Sequence, residues 1–238
     1  MFQNIPPITR ALLIINALFF VAKFIAASNL GINLDLILGA FFPLSKNFQS
    51  YQIITHMFMH GDLVHFFFNM FALWMFGSTV ERTLGEKKYF ILYFLSGLGA
   101  FAIFNFTNYL EAKSLIESYN LTAGQVAELR NLDPFMALTG KEDVSMIYSI
   151  PMVGASGAIF GILVAFGMLF PNAVLMLIFP PIPLKAKYFI PIYIVIELYL
   201  AIRNQPGDNI AHFAHLGGAL IGFLLIRNWK KQIHRWNG

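Results

Sequence analysis

The chain has 238 residues, 58% hydrophobic and 12% charged, with a formal net charge of +4 and no cysteine. Soluble domains carry about 25% charged residues, so this sequence cannot coat a soluble globule and reads as an integral membrane protein. The lack of cysteine excludes disulfides and thiolate metal sites. With no interleaving of basic and aromatic residues, the positive balance points to cations left on the cytoplasmic face, not to nucleic acid as a partner.

A spanning helix needs about 20 mostly apolar residues, and six are predicted. The N-terminus has the outline of a signal peptide, with Arg10, an apolar run from Ala11 to Ala22 and a small-residue "AAS" at 26–28. Lys23 and the membrane-like remainder of the chain favour an uncleaved first helix over about 9–28. The loop 29–55 is apolar but broken by Gly31, Gly39 and Pro43, which places it partly in the membrane interface. The second helix covers about 62–80, the charged turn "ERTLGEKK" follows, and the third covers about 88–109. Residues 110–150 are polar, and "EAKSLIESYN" and "AGQVAELRNL" suggest short amphipathic helices. The fourth helix covers about 154–170 and stops at Pro171-Asn172. The proline-broken "AVLMLIFPPIPLKAK" is a loop lying at the membrane, and the fifth and sixth helices cover about 188–203 and 209–227. The basic tail with two tryptophans suits an interfacial anchor. No internal repeat and no second soluble domain are evident.

Lys and Arg set the orientation. With the N-terminus inside, ten of them fall on inner segments and five on outer ones, which supports cytoplasmic N- and C-termini. The second, fourth and sixth helices then all enter from the outer side. His65 and Asn69 lie early in the second, Ser156 starts the fourth, and His215 lies about six residues into the sixth, roughly 9 Å along it. Strongly polar groups inside a membrane are costly and face a cavity or a partner, so their shared depth marks a candidate site. Gly157 and Gly161 on the fourth helix, and Gly218 and Gly222 on the sixth, form small faces that let two backbones approach closely. A serine with an imidazole in hydrogen-bond reach is an activated nucleophile. His65 and Asn69, four apart and on one helical face, can donate hydrogen bonds to a developing oxyanion.

Rival chemistries are weaker. His56 and His60 have the i, i+4 spacing of a metal pair, and His212 and His215 add two more imidazoles. A zinc protease needs H-E-x-x-H with its glutamate base, whereas residues 57–59 are Met-Phe-Met. His56 and His60 are therefore expected to brace the first loop, and no metal or other cofactor is assigned. Glu197 in the fifth helix would suit a proton-coupled transporter, but it stands alone in the sequence.

The spaced series His56, His60, His65 and Asn69, then "GASG" at 154–157, then "AHLGGALIG" at 214–222, resembles the bacterial rhomboid intramembrane serine proteases. "FG" at 76–77 with Glu81 and Gly85 resembles the end of that family's second helix, and the likeness covers about 50–225. The resemblance implies an all-α polytopic membrane protein: a six-transmembrane-helix bundle, with residues 1–238 as a single membrane-embedded domain in the bacterial inner membrane. It implies Ser156 as nucleophile and His215 as general base, with His65, Asn69 and the Ser156 backbone N–H as oxyanion hole. Phe160 falls where the family sets an aromatic ring against the catalytic histidine. The family uses a dyad without an acid, in keeping with Asp208 lying seven residues from His215, about 10 Å along a helix. The implied partners are transmembrane protein substrates and the lipid bilayer. A proteolytically silent, client-binding relative is the alternative; silent relatives lose the serine or the histidine, and both are present here. The physiological substrate and the oligomeric state are not legible. Two departures stand out: Tyr51-Gln52 where many relatives carry Trp-Arg, which implies different loop contacts to lipid, and the long 110–150 segment.

Overall fold

A computed structural model describes residues 5–176, 182–203 and 211–236, with side chains described to residue 230. The first helix, α1 (Pro7–Leu30), opens with proline at its first position, where the missing N–H costs nothing, and closes on Gly31 at φ 65°. Its free N-terminal donors are met from another helix: the Glu81 carboxylate accepts from the N–H of Ile8 (2.9 Å) and Thr9 (2.7 Å) and from the Thr9 hydroxyl (2.7 Å).

The loop that follows is built, not slack. It contains α2 (Leu34–Leu38) and α3 (Gln52–Thr55). The buried Gln52 amide ties it together, accepting from Phe41 N–H at 3.3 Å and Gln49 N–H at 3.0 Å, and donating to the carbonyls of Ile37 (3.1 Å) and Asn47 (3.3 Å). The sequence departure at 51–52 thus supplies the loop's internal brace. Lys23 of α1 anchors the loop's far end, through the Asp35 carboxylate at 2.5 Å and the carbonyls of His60 (2.7 Å) and Gly61 (2.8 Å).

Asp62 caps α4 (Leu63–Ala72), accepting from His65 N–H at 2.8 Å. A wider π-helical turn, Leu73–Gly77, joins α4 to α5 (Ser78–Leu84). After Gly85, α6 (Glu86–Ser118) runs for 33 residues, nine beyond the expected end at 109. No glycine or proline interrupts 110–118, so the helix leaves the apolar stretch and continues until Asn120 turns it at positive φ. "EAKSLIESYN" is therefore largely its last turns, not a separate helix.

Two short helices complete the outer segment: α7 (Ala123–Arg130), with a reciprocal Thr122–Gln125 capping box, and α8 (Glu142–Ser149), which the sequence did not signal. With the end of α6 and Phe42 of the first loop they enclose a small second core of Ala112, Leu129, Leu132, Val144 and Tyr148.

Helix α9 (Ser156–Leu169) is buried without a break from Gly157 to Phe166. An apolar helix of that kind belongs at the centre of a bundle, and α9 packs against both α6 and α11 (His212–Trp236), which also pack on each other. The small faces do what their composition implies. A Cβ on Gly218 would collide with the Gly157 carbonyl, one on Gly222 with the Gly161 carbonyl, and one on Gly161 would lie 3.0 Å from the Gly218 carbonyl. Between α9 and α11, the expected loop contains strands β1 (Val174–Met176) and β2 (Pro183–Lys185), paired antiparallel, and then α10 (Ala186–Arg203). Among the described residues, three helical stretches, Pro7–Leu30, Leu63–Leu84 and Glu86–Ser118, are long and apolar enough to cross a membrane.

Candidate active site

Ser156 is the first residue of α9 and is reached by an extended segment pinned on the first loop. Ala40 and Met152 exchange two backbone hydrogen bonds of 2.8 Å, and Gly154 N–H donates to the His56 carbonyl at 2.9 Å. Gly154 has φ 135°, which side-chain-bearing residues rarely adopt. A Cβ there would lie 3.0 Å from His65 Nε2 and 3.4 Å from Ser156 Oγ. This glycine keeps clear the space where the His65 ring and the serine converge. As the first residue of α9, Ser156 is one of four whose N–H groups have no partner within the helix, at the positive end of its dipole.

His215 lies in the first turn of α11, which begins at His212, so it is about 5 Å into the helix and not the expected 9 Å. Its Nε2 stands 2.9 Å from Ser156 Oγ. Phe160, one turn beyond the serine, stacks on the imidazole with ring centres 4.2 Å apart and planes 8° apart. The serine and histidine approach this closely because their helices meet glycine to glycine one residue beyond Ser156 and three beyond His215.

Asn69 is buried, and its side-chain amide donates to the His65 carbonyl at 3.0 Å. His60 meets the His65 ring edge-on, with centroids 5.1 Å apart. His56 Nδ1 lies 2.8 Å from the Gln52 carbonyl oxygen. A carbonyl can only accept, so His56 Nδ1 carries the proton. Burial pushes His56 down to about 4 and His60 down to about 3, so both are neutral near pH 7. His56 ties to Gln52 of the first loop, and His60 packs its ring against His65 and Phe66.

The reading of Glu197 as a solitary acid requires correction. Glu197 of α10 is buried, and its Oε2 lies 2.9 Å from His215 Nδ1 and 2.7 Å from His212 Nδ1. Far from standing alone, it joins both imidazoles of α11 to α10. Asp208 lies outside the described residues. Among the described residues, Glu197, His212 and His215 are also the one group of three with ligand atoms close enough together, within 4.8 Å, to hold a metal; the His56–His60 pair belongs to no such group.

The fold and this site define a helical membrane protein that holds a serine–histidine pair at the end of a central buried helix. The Rhomboid domain family matches residues 47–229, and the chain belongs to the rhomboid family. It is 31% identical over 178 residues to Rhomboid protein 1, mitochondrial, of Saccharomyces cerevisiae, covering 73% of this chain and 40% of that protein. It is 27% identical over 222 residues to Rhomboid protease AarA of Providencia stuartii, covering 92% and 70%, and 29% identical over 194 residues to RHOMBOID-like protein 12, mitochondrial, of Arabidopsis thaliana, covering 79% and 50%. The matched region is thus only two fifths of the yeast protein and half of the plant one, but most of the bacterial one.

Proposed function

We propose that the chain is an intramembrane serine endopeptidase that cuts transmembrane-anchored substrates near the outer face of the membrane. The observation that carries this reading is the 2.9 Å approach of His215 Nε2 to Ser156 Oγ. In the reaction, Ser156 Oγ attacks the scissile carbonyl as its proton passes to His215 Nε2. The carbonyl oxygen becomes an oxyanion, met by the Ser156 N–H, His65 and Asn69. The histidine then gives its proton to the leaving amine, the C–N bond breaks, and an acyl-serine remains. Water attacks the acyl carbon, losing a proton to His215, which returns it to Ser156 as the ester opens.

On this reading the chain is one domain whose six longer helical segments are all spans, with both termini cytoplasmic in a bacterial plasma membrane. The short α9 is then compatible with spanning because it is wrapped by other helices. The silent client-binding alternative has no use for a serine hydroxyl hydrogen-bonded to an imidazole stacked on a ring.

The test is labelling and turnover together. Purified protein is expected to be labelled covalently by a fluorophosphonate and to cleave a model transmembrane substrate. Ser156→Ala is expected to lose both, and His215→Ala to lose cleavage, each to background and not additively, because nucleophile and base act as a unit. Near-normal turnover in folded Ser156→Ala would exclude this nucleophile.

A further inference from the structure

We propose that Glu197 is a positioning acid for His215, so that this chain works as a Ser156–His215–Glu197 relay with His212 as a second clamp on the carboxylate. The inference rests on the protease reading above. Only 4% of Glu197 is exposed, and it occupies the inward face of α10 along with Ile190 and Ala201. A buried carboxylate is costly unless its oxygens are satisfied. Here one oxygen receives two imidazole nitrogens, at 2.7 and 2.9 Å.

The consequence for chemistry follows from donor and acceptor capacity. An ionised carboxylate has no proton to give, so the proton of each imidazole is on Nδ1. For His215 this leaves the Nε2 lone pair directed at Ser156 Oγ, 2.9 Å away, which is the form a general base requires. Stacking on Phe160 fixes the plane of the His215 ring but not which edge faces the serine. A half-turn of the ring within that plane would leave the stack intact and lose the base. Glu197 removes that freedom. It also lies against the edge opposite the serine, where it stabilises the imidazolium formed when the serine proton arrives. The proton goes on to the leaving amine, and Glu197 stays ionised throughout.

A purely structural role explains less. One imidazole, that of His212, would suffice to tie α10 to the start of α11 and satisfy the carboxylate oxygen. Among the described residues, the groups around the carboxylate are His212 and His215 from α11 and Tyr193 one turn earlier on α10, whose ring centre lies 5.1 Å from that of Phe160. No described Lys or Arg shares this cluster with Glu197 in an ion pair.

The experiment compares wild type, Ser156→Ala, Glu197→Gln and Glu197→Asp in detergent, reading kcat and KM separately, the rate of fluorophosphonate labelling, and thermal midpoint. In a soluble triad, converting the acid to its amide lowers kcat by about 10⁴. Here the stacked ring retains part of the alignment, so Glu197→Gln is expected to lower kcat by roughly ten- to a thousandfold. KM and the midpoint stay near wild type, and labelling slows in parallel. Glu197→Asp keeps the charge on a shorter arm and recovers part of the loss. A folded Glu197→Gln protein with wild-type kcat would overturn the inference while leaving the protease reading intact. A wild type that neither cleaves nor labels would overturn both. Should the Glu197 variants not fold, proton NMR of the active wild type decides. Two low-field imidazole N–H resonances are expected, one lost in His215→Ala and the other in His212→Ala. If His215→Ala removes none, no carboxylate-bound proton resides on His215 and the inference fails.

Discussion

A single amide shows how much one side chain can do in this site. Asn69 spends one of its two N–H donors on the His65 carbonyl at 3.0 Å, which leaves the second for an oxyanion. Asn69→Ala is therefore expected to lower kcat by roughly tenfold to a thousandfold, one oxyanion donor being worth about 2.7–4 kcal/mol and a partly redundant one less. Fluorophosphonate labelling of that variant should slow but persist. Unchanged kcat in folded Asn69→Ala protein would make the residue a brace for the turn that carries His65, and nothing more. Ser156, His65, Asn69 and His215 could all be singled out in the sequence because each sits in a dense local pattern, small residues around the serine and histidine, spaced imidazoles before the asparagine. Glu197 could not. Its partners lie 15 and 18 residues ahead, on the next helix, and nothing near it in sequence distinguishes it from any lone acid. Asp208 is closer to His215 along the chain, seven residues away.

Among the elements, the first helix depends on the end of the second spanning stretch. Glu81 is 2% exposed and serves the two leading N–H groups of α1 along with the Thr9 hydroxyl, capping that helix from outside its own sequence. Glu81→Ala strands those donors in a buried place, where each hydrogen bond to a charged group is worth about 1.5–3 kcal/mol. The variant is expected to lose several degrees of thermal midpoint in detergent. Below its transition it should keep wild-type KM and fluorophosphonate labelling, because Glu81 touches nothing at Ser156. A midpoint equal to wild type would mean that water replaces the carboxylate without cost. The sequence placed the long helices from their apolar runs but misjudged their ends. Hydropathy located only the apolar part of α6, whereas its end was set by the absence of a breaker before Asn120. The small core of α7 and α8 could not be read because its members, Phe42, Leu129 and Tyr148 among them, come from separate stretches of chain. The brace at Gln52 was hidden for the same reason, its partners being backbone groups that no motif records.

At the scale of the whole molecule, the protease reading makes the length of α9 decide where a substrate is cut. Its 14 residues span about 21 Å at 1.5 Å per residue, against a hydrocarbon core of about 30 Å. On the orientation proposed above, and with Pro171 set at the inner boundary, Ser156 would lie about 10 Å below the outer one. The proposed orientation thus keeps the serine shallow, although His215 is nearer its helix end than the sequence suggested. A peptide bond inside a regular membrane helix has its carbonyl already bonded and its flanks covered, so the substrate must unwind before Ser156 can attack. Glycine and proline ease this, since they cost a helix about 1 and 3 kcal/mol respectively. The ground beside the serine is formed by Gly154, Gly157 and Ala158, and Gly157 and Ala158 are closed in by helix packing, so a small residue before the cut fits best. Cleavage is expected at Ala or Ser close to the outer membrane boundary of the substrate, and replacing nearby helix breakers with Leu should slow it. Mass spectrometry of the two products locates the cut. Sites in the middle or at the cytoplasmic end of the substrate helix would be incompatible with a serine held at this depth.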